Sequence, residues 1–245
     1  YMNEIDKKNI NNYGGHIKNF YQIPFFRKNL LKQNYRGLSQ ELQNTLSKFD
    51  KKIIFAPSMA STIHFKPTSV ENIERAIEEF NKIILHDKKI LIIIKEKKGE
   101  LENINQKLKK LIFNSKNFYT IRSFKPKLLE YNQFEEIIPN CDLLVTLTST
   151  STTVLQSLDS NIPFICLNDN HPFSFYKKYS NCEVRLKYFK EAVYYWLKLE
   201  NNDLQNLLNK IKEDLNICNE NGLNSAASVL DELLKKNKDF FNERN

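Results

Sequence analysis

Short, unbroken apolar runs alternate along this chain with longer stretches whose apolar residues recur every three or four positions. Ile53-Ile54-Phe55-Ala56 stops at Pro57, Ile90–Ile94 stops at Lys95, and Leu143-Leu144-Val145 runs into Thr146-Leu147. Phe118–Ile121 and Pro163–Leu167 are of the same kind. Runs apolar at every position, not at every second one, predict strands covered on both faces, as in a parallel sheet. Between them, Val70, Ile73, Ile77, Phe80 and Ile84 follow one helix face, and Glu100–Phe113 reads as a second amphipathic helix. Shorter helices are expected over Ser39–Phe49, Phe134–Ile138 and Val154–Leu158. After the last strand, helical segments follow near Tyr188–Leu199, Asp203–Cys218 and Asn224–Phe240. Strand and helix in repetition predict βαβ units, and so an α/β fold with a Rossmann-like, doubly wound parallel sheet and C-terminal helices. The expected plan is a linker or remnant of an N-terminal domain over 1–50, the sheet domain over 51–200 and C-terminal helices over 201–245. The chain opens on Tyr1 with Met2 behind it, so a preceding N-terminal domain is expected.

Composition narrows the partners. The 245 residues carry 37 Lys and Arg against 29 Asp and Glu, a net charge of +8. Such an excess suits an anionic partner: nucleic acid, an acidic membrane surface or a diphosphate. A chain rich in Lys, Asn and Ile would carry the same excess with no partner at all. Nucleic acid ranks last, because the lysines scatter among acidic residues instead of interleaving with aromatics on one face. Only five glycines are present, which argues against a glycine-rich phosphate loop. The four cysteines, Cys141, Cys166, Cys182 and Cys218, form no C-x-x-C pair. Cys141 and Cys166 abut apolar runs and read as small core residues. No signal peptide is evident, and no apolar run approaches the ~20 residues that span a bilayer. A cytoplasmic location is expected, with peripheral contact at the inner membrane compatible with the charge.

A doubly wound sheet binds ligands beyond the carboxyl ends of its strands, so the loops after residues 57, 94, 121, 147 and 167 matter most. After the fourth strand comes Thr148-Ser149-Thr150-Ser151-Thr152-Thr153, directly before a helix. A helix N-terminus offers unpaired N–H groups and about half a positive charge, and the hydroxyls add donors. Together they can hold an anion without glycine. A plain N-cap would need only one of these hydroxyls. Lys95 stands after the second run and can neutralise a diphosphate, whereas Lys97 and Lys98 read as solvated charges. Glu96 could bind a ribose or simply face water. His171, among Asn168, Asp169 and Asn170, could contact donor phosphate or sugar, or shape a turn. His64 in the first loop is similar, while His16 and His86 read as structural or surface residues. Phe124 and Tyr131 could stack on a base or belong to the core. No metal-ligand spacing and no Ser-His-Asp ordering is evident.

These motifs resemble the C-terminal, nucleotide-sugar-binding domain of bacterial GT-B glycosyltransferases of the glycerophosphotransferase, Kdo-transferase and capsule polysaccharide type. Asp142, Ser149, Thr150, Ser151 and Pro163 stand where that family has an aspartate-led strand, a Ser/Thr pair and a proline-led strand. Ile53–Ser58 is similar to the opening strand and turn, and Asn221–Ala227 to the closing glycine before a final helix. The resemblance covers roughly residues 50–235. Many relatives carry Lys-x-His-Pro after the second strand, and here only Lys95 is kept. His171-Pro172 follows the hydroxyl cluster, the reverse of the order in a family of bacterial sialyltransferases, so sialic acid is not expected as the donor sugar. The resemblance together with the positions of these residues beyond the strands gives the expected donor-binding set: Ser58, Lys95, Thr148, Ser149, Thr150, Ser151, Thr152 and His171. It implies transfer of a sugar or polyol phosphate to a glycan or lipid-linked acceptor, with no cofactor beyond the nucleotide-sugar substrate and no metal. Acceptor and base belong to the other domain, and no catalytic residue is singled out here. The alternative is a non-catalytic α/β module that senses nucleotides or binds a partner.

Overall fold

The structure, a computed structural model, describes residues 38–57, 70–96, 99–122, 134–147, 152–167, 176 and 178–214. Among them, six strands make one sheet: β1 (Lys51–Ala56), β2 (Ile90–Glu96), β3 (Phe118–Arg122), β4 (Leu143–Thr146), β5 (Phe164–Leu167) and β6 (Glu183–Val184). Their order is β3-β2-β1-β4-β5-β6 and every neighbouring pair is parallel. The continuous apolar runs have the predicted cause. Ile53, Ile54 and Phe55, Ile92 to Ile94, Leu143 to Val145, and Phe164 with Ile165 are fully buried, because helices cover both faces.

The helices are α1 (Gln40–Leu46), α2 (Val70–His86), α3 (Gln106–Asn114), α4 (Phe134–Ile137), α5 (Thr152–Asp159), α6 (Phe189–Lys198) and α7 (Asn201–Asp214). The predicted stripe of α2 is its inner face: Ile73, Ile77, Phe80 and Ile84 are buried. Phe80 meets Phe55 of β1 at 5.2 Å between ring centroids and Phe189 of α6 at 5.0 Å. Each such ring, fully buried, contributes about 1.5–3 kcal/mol. α2 and α6 therefore share one face of the sheet, and α3 packs beside α2. Lys95 and Phe134 touch on the opposite face, where α4 lies and α5 packs against the turn that follows it. Right-handed crossovers from β1 to β2 and from β4 to β5 demand this split, because they run outward in opposite directions.

Three expectations are corrected. Glu100–Phe113 is not one helix: a 3₁₀ turn, Glu100–Asn103, is followed by α3, which starts at Gln106. Gly99, with φ 77°, turns the chain, and Asn105 caps the new helix by accepting from Leu108 N at 2.9 Å. Next, β2 runs to Glu96, so Lys95 and Glu96 belong to a strand and not to a loop. Finally, β6 was not expected, since a two-residue strand has no period to read. α5 begins at Thr152 and ends in a Schellman turn. There Ile162 N donates to Ser157 O at 2.8 Å and Asn161 sits at φ 59°.

The chain divides into two compact units, Arg36–Asn206 and a second made of Tyr1–Tyr35 with Leu207–Asn245. The first contains the whole sheet, and the second contributes the last turns of α7 to the described residues. The expected helix over 224–240 and Cys218 lie outside the described residues. Among those residues no helix is long and apolar enough to cross a membrane.

Candidate functional site

From β1 the chain crosses to β2 and then β3 on one side, while β4 and β5 extend the sheet the other way. The direction of winding reverses between β1 and β4. At such a switch point the loops leaving the two strands part toward opposite faces and open a crevice at the carboxyl edge. Ala56 and Thr146, register partners at the ends of β1 and β4, mark the switch point in this sheet. α5 starts six positions after Thr146, so its N-terminus belongs to the same edge.

Register and alternation define a row of side chains along this edge. Phe55 pairs with Ile94 and Val145 and faces α2, so the residues after them, Ala56, Lys95 and Thr146, face the α4–α5 side. Cys166 continues the row from β5. One layer below, the same face carries Ile93, Ile54, Leu144 and Phe164. At the three central strands, small side chains thus sit at the edge above large ones. Lys95, half-buried, lays its ammonium 4.7 Å from the centre of the Phe134 ring, within cation–π range. Thr146 is fully buried, and its hydroxyl has no hydrogen-bond partner among the described residues.

Of the residues expected to bind the donor, Lys95 lies at this edge and Thr152 opens α5. Ser58, Thr148, Ser149, Thr150, Ser151 and His171 lie outside the described residues, as do His64, Lys97, Lys98, Phe124 and Tyr131. Glu96 is corrected: it is 2% exposed, and its Oε2 accepts from Leu101 N at 3.2 Å. It fastens the 3₁₀ turn and does not face water. Asp142 stands at the amino end of β4, a strand length of roughly 13 Å from the crevice. Its Oδ2 accepts from Lys52 N at 2.8 Å, and Lys51 Nζ lies 3.5 Å from Oδ1. The aspartate of the motif therefore ties β4 to β1 at the opposite pole. Thr146, which the sequence reading did not single out, is a hydroxyl ending the apolar run Leu143–Val145 at this same edge.

His86 is exposed, with Nδ1 3.3 Å from the Tyr194 hydroxyl. Cys141, Cys166 and Cys182 are buried free thiols, and burial pushes all three well above the ordinary thiol range. Neutral buried thiols behave as core groups. Among the described residues no three His, Cys, Asp or Glu side chains gather as metal ligands would. A groove of about 610 Å³ runs between α2 and α3, lined by Lys82, Lys107, Lys110 and Asn114 among others. It follows the helix flanks, away from the carboxyl edge.

No protein-family model and no curated protein matches the chain. Solved structures do. TarM of S. aureus, crystallised with fondaparinux, α-GlcNAc-glycerol and UDP, aligns with a TM-score of 0.53 and 13% identity, over 93% of this chain and 42% of TarM. The α,α-trehalose 6-phosphate synthase of Burkholderia multivorans aligns at 0.52 and 10%, over 84% of this chain and 46% of that one. The trehalose-6-phosphate synthase OtsA aligns at 0.52 and 14%, over 86% and 50%. The chain spans half or less of the length of each of these proteins. At such identities the likeness is one of fold: the chain has the Rossmann-like α/β architecture of one half of a GT-B glycosyltransferase.

Proposed function

We propose that the chain is the donor-binding half of a glycosyltransferase of the glycerophosphotransferase, Kdo-transferase or capsule polysaccharide type. It moves a sugar or polyol phosphate from a nucleotide-activated donor to a surface polysaccharide or lipid-linked acceptor. The observation that carries this reading is the switch point between β1 and β4, with α5 starting at the same edge. By chain order Ser58 leaves β1 there, Thr148 to Thr152 lead from β4 into α5, and His171 follows β5. Lys95 is the last but one residue of β2, the strand beside β1. The fold shared with TarM and the trehalose-6-phosphate synthases supports the same assignment.

In such a transfer the bond from the donor group to the nucleotide breaks and negative charge grows on the departing phosphate. The helix N-terminus, the hydroxyls and Lys95 would oppose that charge, and donors aimed in advance at developing charge lower the barrier. The donor is the substrate, and the chemistry calls on no further cofactor. The base and acceptor site belong to a partner domain that completes the cleft, with the protein working in the cytoplasm or at the inner face of the membrane.

Calorimetric titration with nucleoside diphosphates tests the reading. Each hydrogen bond to a charged phosphate contributes roughly 1.5–3 kcal/mol, and ~1.4 kcal/mol is tenfold in affinity. The double variant S149A/S151A should therefore bind more than about tenfold more weakly. Equal affinity would reduce those hydroxyls to helix caps. Tight binding by the complete protein with no transfer to any glycan acceptor would instead mark a nucleotide-sensing module.

A further inference from the structure

We propose that Thr146 is a further donor-site residue, its hydroxyl buried without a partner among the described residues and donated to the diphosphate when it binds. This rests on the reading of the crevice as a diphosphate site. It goes beyond that reading by naming a buried strand residue, outside the hydroxyl cluster, as part of the site.

Two independent observations meet at this position. The first is the hydroxyl itself: Oγ1 is buried with no partner among the described residues, and Thr146 is fully buried. Buried polar groups are overwhelmingly paired, and one left alone carries the whole penalty of leaving water. The other polar groups of the sheet that the same burial touches are satisfied. Asn117 donates from Nδ2 to Lys88 O and Ile90 O, both at 2.8 Å, and Glu96 accepts from Leu101 N. The second observation is location. The unsatisfied group ends β4 at the switch point, on the face that carries α5.

The register neighbours of Thr146 on both sides are small. Ala56 on one side and Cys166 on the other are short, and the Cys166 thiol is held neutral by burial. Beyond Ala56 the row continues to Lys95, two strands and so roughly 10 Å from Thr146. A cation and a hydroxyl donor thus flank a methyl group along this edge. The oxygens of a diphosphate can accept from both kinds of donor. Cations and hydroxyls are the donors that phosphate oxygens take most strongly.

The test uses the full chain and the variants T146V and T146S, with calorimetric titration and thermal melting in parallel. Probes are the nucleoside diphosphate that wild type binds most tightly and inorganic pyrophosphate, which removes the base and sugar. Valine keeps the shape of threonine and deletes only the hydroxyl. T146V should melt at the same temperature as wild type or higher, because a penalty is removed. It should bind both probes about tenfold or more weakly. T146S, which keeps the hydroxyl, should stay within about threefold of wild type. Unchanged affinity in T146V overturns the inference. So does a drop in its melting temperature with binding intact, which would mean that the hydroxyl is satisfied inside the free fold. Failure of wild type to bind either probe removes the diphosphate reading itself, and this inference with it.

Discussion

Asp142 and Thr146 stand at the two ends of β4 and behave in opposite ways. The Asp142 carboxylate is satisfied by the backbone of Lys52, and at the same pole the Asn117 amide bridges two carbonyls. Polar groups at the amino pole serve the fold, while the buried Thr146 hydroxyl, which has no partner among the described residues, lies at the carboxyl edge. D142A should therefore cost about 1–2 kcal/mol of stability, less than a fully buried charged bond because the carboxylate is 29% exposed. It should leave nucleotide affinity unchanged, since its position is a strand length from the crevice. Urea unfolding and titration check this together, and a selective loss of nucleotide binding would return Asp142 to the site. The Lys51 partner adds little, being 42% exposed itself.

At the scale of elements, the connection after β2 shows how a few residues override a helical pattern. Leu101, Ile104, Leu108 and Ile112 keep the spacing of one face and all are buried. Yet the backbone breaks between Asn103 and Gln106, because Asn105 offers its side chain to Leu108 N and Glu96 claims Leu101 N. Gly99 makes the entry possible at φ 77°, where a Cβ would come within 2.8 Å of the Glu102 carboxyl carbon. That carboxyl group is the end of a flexible side chain and can swing away, so the backbone decides the cost. G99A should destabilise by roughly 1–2 kcal/mol, the penalty of a left-handed conformation for an L-residue. Native-state hydrogen exchange should show the loss first at Leu101 and Glu102. Uniform protection equal to wild type would mean that the turn adopts another conformation at no cost.

For the whole molecule, the order β3-β2-β1-β4-β5-β6 concentrates the candidate chemistry at one edge and leaves the rest of the sheet as scaffold. If a nucleoside diphosphate binds there, it stabilises the folded state by mass action. At one hundred times Kd the gain is about 2.7 kcal/mol. For a chain of this size that corresponds to a rise in Tm on the order of 5–10 °C. S149A/S151A at the same ligand concentration should lose about half of the rise or more. A wild-type protein whose melting does not move at millimolar nucleotide would speak against the crevice as a nucleotide site.

The strands were legible from the sequence because a sheet covered on both faces makes every strand position apolar, as in Ile90–Ile94. The face of α2 was legible because burial on one side repeats at 3.6 residues. The strand-to-helix junction at Thr148–Thr152 was legible as a place, since an apolar run, a hydroxyl cluster and a helical pattern follow one another. Which apolar runs lie side by side was not written locally, because Ile53–Phe55, Ile90–Ile94 and Leu143–Val145 are interchangeable as pairing surfaces. Their order, and with it the switch point, is decided by long-range pairing and by the handedness of the crossovers. The fate of single polar residues is decided in the same way. Glu96 became a buried cap, Lys95 turned onto Phe134 and Thr146 was left without a partner among the described residues, because each outcome depends on neighbours brought in from distant parts of the chain.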